Sequence, residues 1–237
     1  MLIRYFITIT LLAAASILHA QSEPAKVRLT ALSLNARIMD LKYESRGQVE
    51  SLYAYKHQRS EAFNYTGPQT ITFFRESASL DKDGKPIRTT VATCKLPRKR
   101  GQYLLILSKV AQDTEAYRII PIVDDWEKFK PGTYRFLNLA PFDIALKLED
   151  TVHTIKERNF TDVGGDFKDK SNQKAIMVSL PEGEEPVRVF QGHMRYTNDL
   201  RMLYIITPKK SSRAGRVDFI AVPQRVSTRQ KKSEKAK

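Results

Sequence analysis

Leu104-Leu105-Ile106-Leu107-Ser108 is a short apolar run closed by a turn-forming residue, and Leu203-Tyr204-Ile205-Ile206-Thr207 repeats it in the second half of the chain. Residues 119–123 and 219–222 are of the same kind, rich in Ile, Val and Phe and bounded by Pro, Asp or Arg. Runs this short and this β-branched are strands rather than helices. Working outward, the period is two: Val27, Leu29 and Ala31 alternate with Arg28 and Thr30, Ile71 and Phe73 with Thr70 and Thr72, and Val187 and Val189 with Arg188 and Phe190. The pattern predicts an all-β chain of short strands at regular spacing, as in sandwiches and barrels. The one helical signal is a turn or two over residues 124–129, where Asp124 and Asp125 precede Trp126 and Phe129.

The chain also resembles itself. Residues 27–33 match 134–140 at an offset of 107, residues 91–97 match 175–181, residues 104–108 match 203–207, and residues 117–122 match 217–222. The matches occur in the same order in both halves, which predicts a tandem duplication. The expected organisation is therefore two β-sandwich domains, 26–123 and 133–223, joined by a linker over 124–132 in which Pro131-Gly132 turns the chain into the second domain. Each is large enough to bury a core without a disulfide. Residues 78–88 and 159–172 read as polar hairpins or loops, and residues 224–237 as a disordered basic tail.

Residues 1–20, MLIRYFITITLLAAASILHA, have the layout of a signal peptide: one early Arg, an apolar run, then small residues before a cut after Ala20. No later stretch approaches bilayer-spanning length. The expectation is a secreted or periplasmic protein with no transmembrane span in its mature form.

The formal charge is +14, from 40 Lys and Arg against 26 Asp and Glu. Three basic clusters stand out and are the candidate anion-binding residues: Arg98, Lys99 and Arg100 before one strand; Lys209, Lys210, Arg213 and Arg216 in a hairpin loop; and Arg229, Lys231 and Lys232 in the tail. Anionic envelope polymers, lipid headgroups or another envelope protein are the expected partners. A sequence-specific nucleic-acid reader is not, since no recognition-helix signature is present.

Signals for catalysis are weak. His57, His153 and His193 have no close His or Cys partner, and the single cysteine, Cys94, lies in an apolar alternation that makes it a core residue. Asp81-Lys82-Asp83-Gly84 starts like a calcium loop but lacks the distal carboxylate. There is no Gly-x-Ser-x-Gly elbow, and Gly164-Gly165 is followed by no Lys-Ser/Thr. The chain is thus expected to be non-catalytic, with no cofactor and no metal. The alternatives are a carbohydrate-binding module using Tyr53, Tyr55, Phe63, Tyr65, Phe73 and Phe74, and a hydrolase assembled from distant loops.

The stretch Phe129-x-Pro-Gly-x-Tyr134-Arg-Phe-Leu-Asn138-Leu-Ala, followed by Ile144-x-Leu146-x-Leu148, resembles the opening strands of immunoglobulin-like domains in uncharacterised exported bacterial proteins. Phe63-x-Tyr65-x-Gly67-Pro68 before Thr72-Phe73-Phe74 is similar to the same two-domain proteins. The resemblance implies tandem immunoglobulin-like sandwiches and export, and it transfers no catalytic residue.

Overall fold

The computed structural model describes residues 23–111, 114–164, 172–209 and 214–226. It is all-β, with no helix among the described residues. The first eight strands are β1 (Ala25–Ser33), β2 (Ile38–Ser45), β3 (Gln48–Lys56), β4 (Phe63–Gly67), β5 (Thr70–Leu80), β6 (Pro86–Lys95), β7 (Arg100–Lys109) and β8 (Tyr117–Val123). The next eight are β9 (Thr133–Asn138), β10 (Asp143–Leu148), β11 (Thr151–Ile155), β12 (Phe160–Gly164), β13 (Asn172–Leu180), β14 (Val187–Arg195), β15 (Leu200–Pro208) and β16 (Val217–Arg225).

Both sets pair in the same way. In the first, β4-β1-β7-β8 lie side by side with β1 and β7 parallel, and β3-β2-β5-β6 form an antiparallel group. A brief parallel contact of β1 with β3, Leu32 opposite Tyr55, joins the two groups. In the second, β12-β9-β15-β16 and β11-β10-β13-β14 repeat the order and the directions. Even the tight hairpins correspond. Arg46 and Gly47 turn β2 into β3 with positive φ, as the paired primed turn requires, and Glu149 does so at the start of the β10–β11 turn.

Three apolar layers separate four sheets. Val27, Leu29, Leu105 and Leu107 face Leu41, Leu52, Ile71 and Phe73 within the first half. Phe136, Ile206, Leu146 and Met177 do the same in the second. The third layer lies between the halves, where Leu32, Leu104, Ile106 and Ile122 meet Leu137, Leu203, Ile205, Ile220 and Val222. Strands β7 and β15 are consequently covered on both faces. Their apolar runs do not alternate because neither has a solvent side.

The register shows that the middle layer is built from equivalent positions. Leu32 lies opposite Ile106 and Leu137 opposite Ile205, while Ile106 pairs with Ile120 and Ile205 with Ile220. Three of the four sequence matches therefore join strands with the same pairing, although β9 aligns with β1 two residues away from the offset of 107. An even slip keeps every side chain on its face. The fourth match differs: β6 is an edge strand, whereas β13 lies between β10 and β14 and is the counterpart of β5. Apolar alternation ending in Leu-Pro was common to both, and it does not encode strand order.

Other expectations change as well. Residues 124–129 form one turn, in which the N–H groups of Lys128 and Phe129 both reach the Asp125 carbonyl. Residues 160–164, expected as loop, are strand β12 and pair with β9. Gln224 and Arg225 complete β16, so the tail boundary moves to the residues after Arg225, most of which lie outside the described residues. Asp81-Lys82-Asp83-Gly84 is a turn whose Asp81 Oδ1 accepts the N–H groups of Asp83 and Lys85 at 2.9 Å each.

The connection between the halves is clamped by buried charge. Asp124 accepts from Arg59 of the first half and from Arg201 of the second, the latter at 3.2 Å. Arg201, only 1% exposed, also donates to the carbonyls of Asp124 and Phe129 and to Gln224. Its guanidinium lies 3.7 Å from the centroid of the Trp126 ring. Burial lowers its pKa to about 10, with Asp124 acting in the opposite direction, so it stays charged at neutral pH. Arg135 donates to both oxygens of Asp162 and to the Val123 carbonyl. These contacts fix the two middle sheets against each other, and with them the shape of the opening at their far end.

Candidate functional site

At the carboxyl ends of β1, β7, β9 and β15 the middle layer opens into a cleft of about 1110 Å³. Its floor is apolar: Leu34, Ile120, Leu137, Leu139, Phe219 and Ile220. Its rim is cationic, carrying Lys56, Lys109, Arg118, Arg158 and Lys209, with His57 beside them, against the single carboxylate of Asp218. Lys209 Nζ is 3.7 Å from Asp218, a loose pair between two exposed side chains. Among the described residues Lys56, Lys109, Arg118 and Arg158 have no carboxylate within ion-pairing distance.

Each rim residue is positioned by a strand end. Lys109 closes β7, and its N–H is held by Asn35 Oδ1 at 2.9 Å. Arg118 lies opposite Ser108 in the β7–β8 ladder, and Asp218 lies opposite Thr207 in β15–β16. Arg118 and Asp218 thus hold equivalent places in the two halves with opposite charge. His57 and Arg158 follow β3 and β11, again equivalent connections, and both have positive φ (55° and 50°). A non-glycine residue in that region costs free energy and persists only when its surroundings hold it. For His57 the holders are visible: its N–H donates to the Ser33 carbonyl at 2.9 Å, and its Nε2 lies 3.0 Å from the Leu34 carbonyl. A carbonyl only accepts, so Nε2 carries the proton.

Of the candidate anion-binding residues, only Lys209 lies in this cleft; His57, weighed in the sequence only as a metal ligand, is there too. Arg98, Lys99 and Arg100 sit at the opposite end of β7, where Arg100 pairs with Glu23 at 2.9 Å. Nine steps of strand place Arg100 roughly 30 Å from Lys109. Arg98–Arg100 and Lys209 therefore do not form one patch. Arg216 is exposed next to β16, with its carbonyl accepting the Lys209 N–H. Lys210, Arg213, Arg229, Lys231 and Lys232 lie outside the described residues. The aromatic cluster divides: Tyr65, Phe73 and Phe74 are core, Phe63 is half-buried, and Tyr53 and Tyr55 point outward from β3, 46% and 36% exposed.

Lys56, Lys109, Arg118 and Arg158 carry no local signal in the sequence because no two of them are neighbours in the chain. A usable signal did exist. Aligning the repeats brings Arg118 and Asp218 to the same place and Lys109 to within one residue of Lys209.

Fold and site together define an all-β protein whose repeated halves enclose a cationic cleft over an apolar floor. Compared with known proteins, the chain matches neither a family model nor a curated sequence.

Proposed function

We propose that this chain is an exported, non-catalytic binding protein of the cell envelope, built of two tandem immunoglobulin-like sandwiches that hold an anionic ligand between them. The observation that carries this reading is the cleft rim, where five Lys and Arg side chains meet one carboxylate. Like charges gathered in a concavity with apolar walls focus their field on whatever enters. Nothing in the packing requires them there. An unpaired Lys or Arg is as comfortable on an outer strand, and both halves have ample outer surface.

The test is retention on an immobilised anionic polymer such as dextran sulfate. Reversing Lys109 and Arg118 together (K109E/R118E) should release the protein at clearly lower salt, whereas R98E/R100E at the other end should change elution little. The opposite ranking would overturn the reading and return it to the basic turns.

A second reading rests on Tyr53 and Tyr55, which with Phe63, Ser51, Ser60 and Glu61 border a shallow hollow of about 230 Å³. Outward tyrosines at alternate strand positions form the kind of shelf on which sugars stack. The Arg37 guanidinium lies 5.2 Å from the Tyr55 ring centroid, leaving Tyr53 as the freer platform. Quenching of tyrosine fluorescence by neutral oligosaccharides, lost in Tyr53→Ala, checks it.

A further inference from the structure

The floor of the cleft says more about the ligand than its rim does. Leu34, Ile120 and Leu139 are the partly buried members of the apolar layer between the two middle sheets, and Leu137 and Ile220 are fully buried members of that same layer. Among the described residues nothing covers this edge, so the cleft is an open end of that hydrophobic layer. Elsewhere such an edge is covered by a loop or a bulky side chain, because uncovered apolar surface costs free energy in proportion to its area. Here it is bordered instead by cations, of which among the described residues only Lys209 has a carboxylate, that of Asp218, within ion-pairing distance. An inorganic anion would satisfy the rim and leave the floor wet. An uncharged hydrocarbon would do the reverse.

We infer that the cleft takes an anionic amphiphile, its acidic head among Lys109, Arg118, Arg158 and Lys56 and its alkyl chain laid along Leu34, Ile120 and Leu139. This rests on the anion-binding reading above and specifies its ligand class. The size is adequate, since cavities that hold small ligands run from roughly 300 to 1,000 Å³, and this one is slightly larger at about 1110 Å³. The head belongs at the rim because a charge placed on the floor would lose its water without gaining a partner. The chain belongs on the floor because, besides His57, only Ser108, Thr207 and Asn35 of the lining have polar side chains that are not Lys, Arg or Asp.

The experiment is calorimetric titration of the protein with inorganic phosphate and with butyl, hexyl and octyl phosphate, all kept below self-assembly. A methylene moved from water onto apolar surface is worth about a four-fold change in affinity. Octyl phosphate should then bind up to roughly 200-fold more tightly than butyl phosphate. Leu139→Asn should flatten that series while leaving phosphate binding unchanged, and K109E/R118E should weaken every member. A flat series in the wild type, with phosphate still bound, would overturn the amphiphile and leave the anion site standing. If no member binds, or if binding is indifferent to K109E/R118E, the anion-binding reading falls with it. The wild-type series decides the question even where a variant fails to fold.

Discussion

Asp124→Asn removes one oxygen's charge and almost no volume, yet it should be among the most damaging single substitutions in the chain. Among the described residues Asp124 is the only acid that Arg59 and Arg201 touch, and the three side chains are 6%, 8% and 1% exposed respectively. Its loss leaves two guanidinium groups out of water with no counter-charge. Breaking a buried ion pair by removing one partner costs about 3–5 kcal/mol, mainly because the other charge is stranded. Against a total stability of about 5–15 kcal/mol that is a large share. The same argument fixes a sign that ordinary packing would not. Adding Arg59→Met to Asp124→Asn removes one stranded cation, so the double variant should regain about 1–2 kcal/mol over D124N, the size of coupling seen between residues in one network. Trp126 is the only tryptophan, and its ring lies against Arg201, so urea unfolding followed by its fluorescence reports on this place directly. A cost for D124N below about 1 kcal/mol, or simple additivity of the two substitutions, would refute the electrostatic account.

Other expectations follow from burial. Cys94 is 2% exposed, and burial pushes its thiol up to about 12, so it should resist a disulfide reagent at pH 8 in the native state and react once in urea. Rapid labelling of the folded protein would contradict its place in the core. Tyr43, Tyr65 and Tyr204 are each raised to about 12, chiefly by burial. The folded chain holds these protons when the unfolded chain has released them near pH 10, so the stability they contribute is complete below pH 10 and is lost as pH rises toward 12. Arg201, lowered to about 10, works in the opposite direction but is one group against three. The urea midpoint should fall between pH 9.5 and 11.5, in step with tyrosinate absorbance at 295 nm; a flat midpoint would show that these hydroxyls reach water. The cleft itself is tested by the salt-elution ranking and the alkyl phosphate series.

Strand content was readable because burial writes a period. Val27, Leu29 and Ala31 alternate, and a half-covered strand has to. The unalternating runs at residues 104–107 and 203–206 were recognised as strands, but their meaning, coverage on both faces, depends on which sheets stack, and that is a property of the whole chain. Charge was harder. Arg201 sits in Leu200-Arg201-Met202-Leu203 with nothing to mark it as buried, and Asp124-Asp125 reads as the start of a helix. Only the meeting of two halves makes them partners. The cleft suffered most, because local density of Lys and Arg favours Arg98-Lys99-Arg100, a wet turn, over single cations at distant strand ends.

The middle layer has a consequence for how this molecule could diverge. Leu32, Leu104, Ile106 and Ile122 share one apolar layer with their own counterparts Leu137, Leu203, Ile205 and Val222, so the chain carries what amounts to a self-paired interface folded back into one polypeptide. Two separate copies meeting this way would be bound by symmetry to place the same residue on both sides. Covalent linkage lifts that obligation and also makes the association independent of concentration. The chain has used the freedom at two ends of the same surface: Arg201 stands where the first half has Gln102, and Asp218 where it has Arg118. A true dimer could only have doubled its charges at the mouth; this one was free to set them singly.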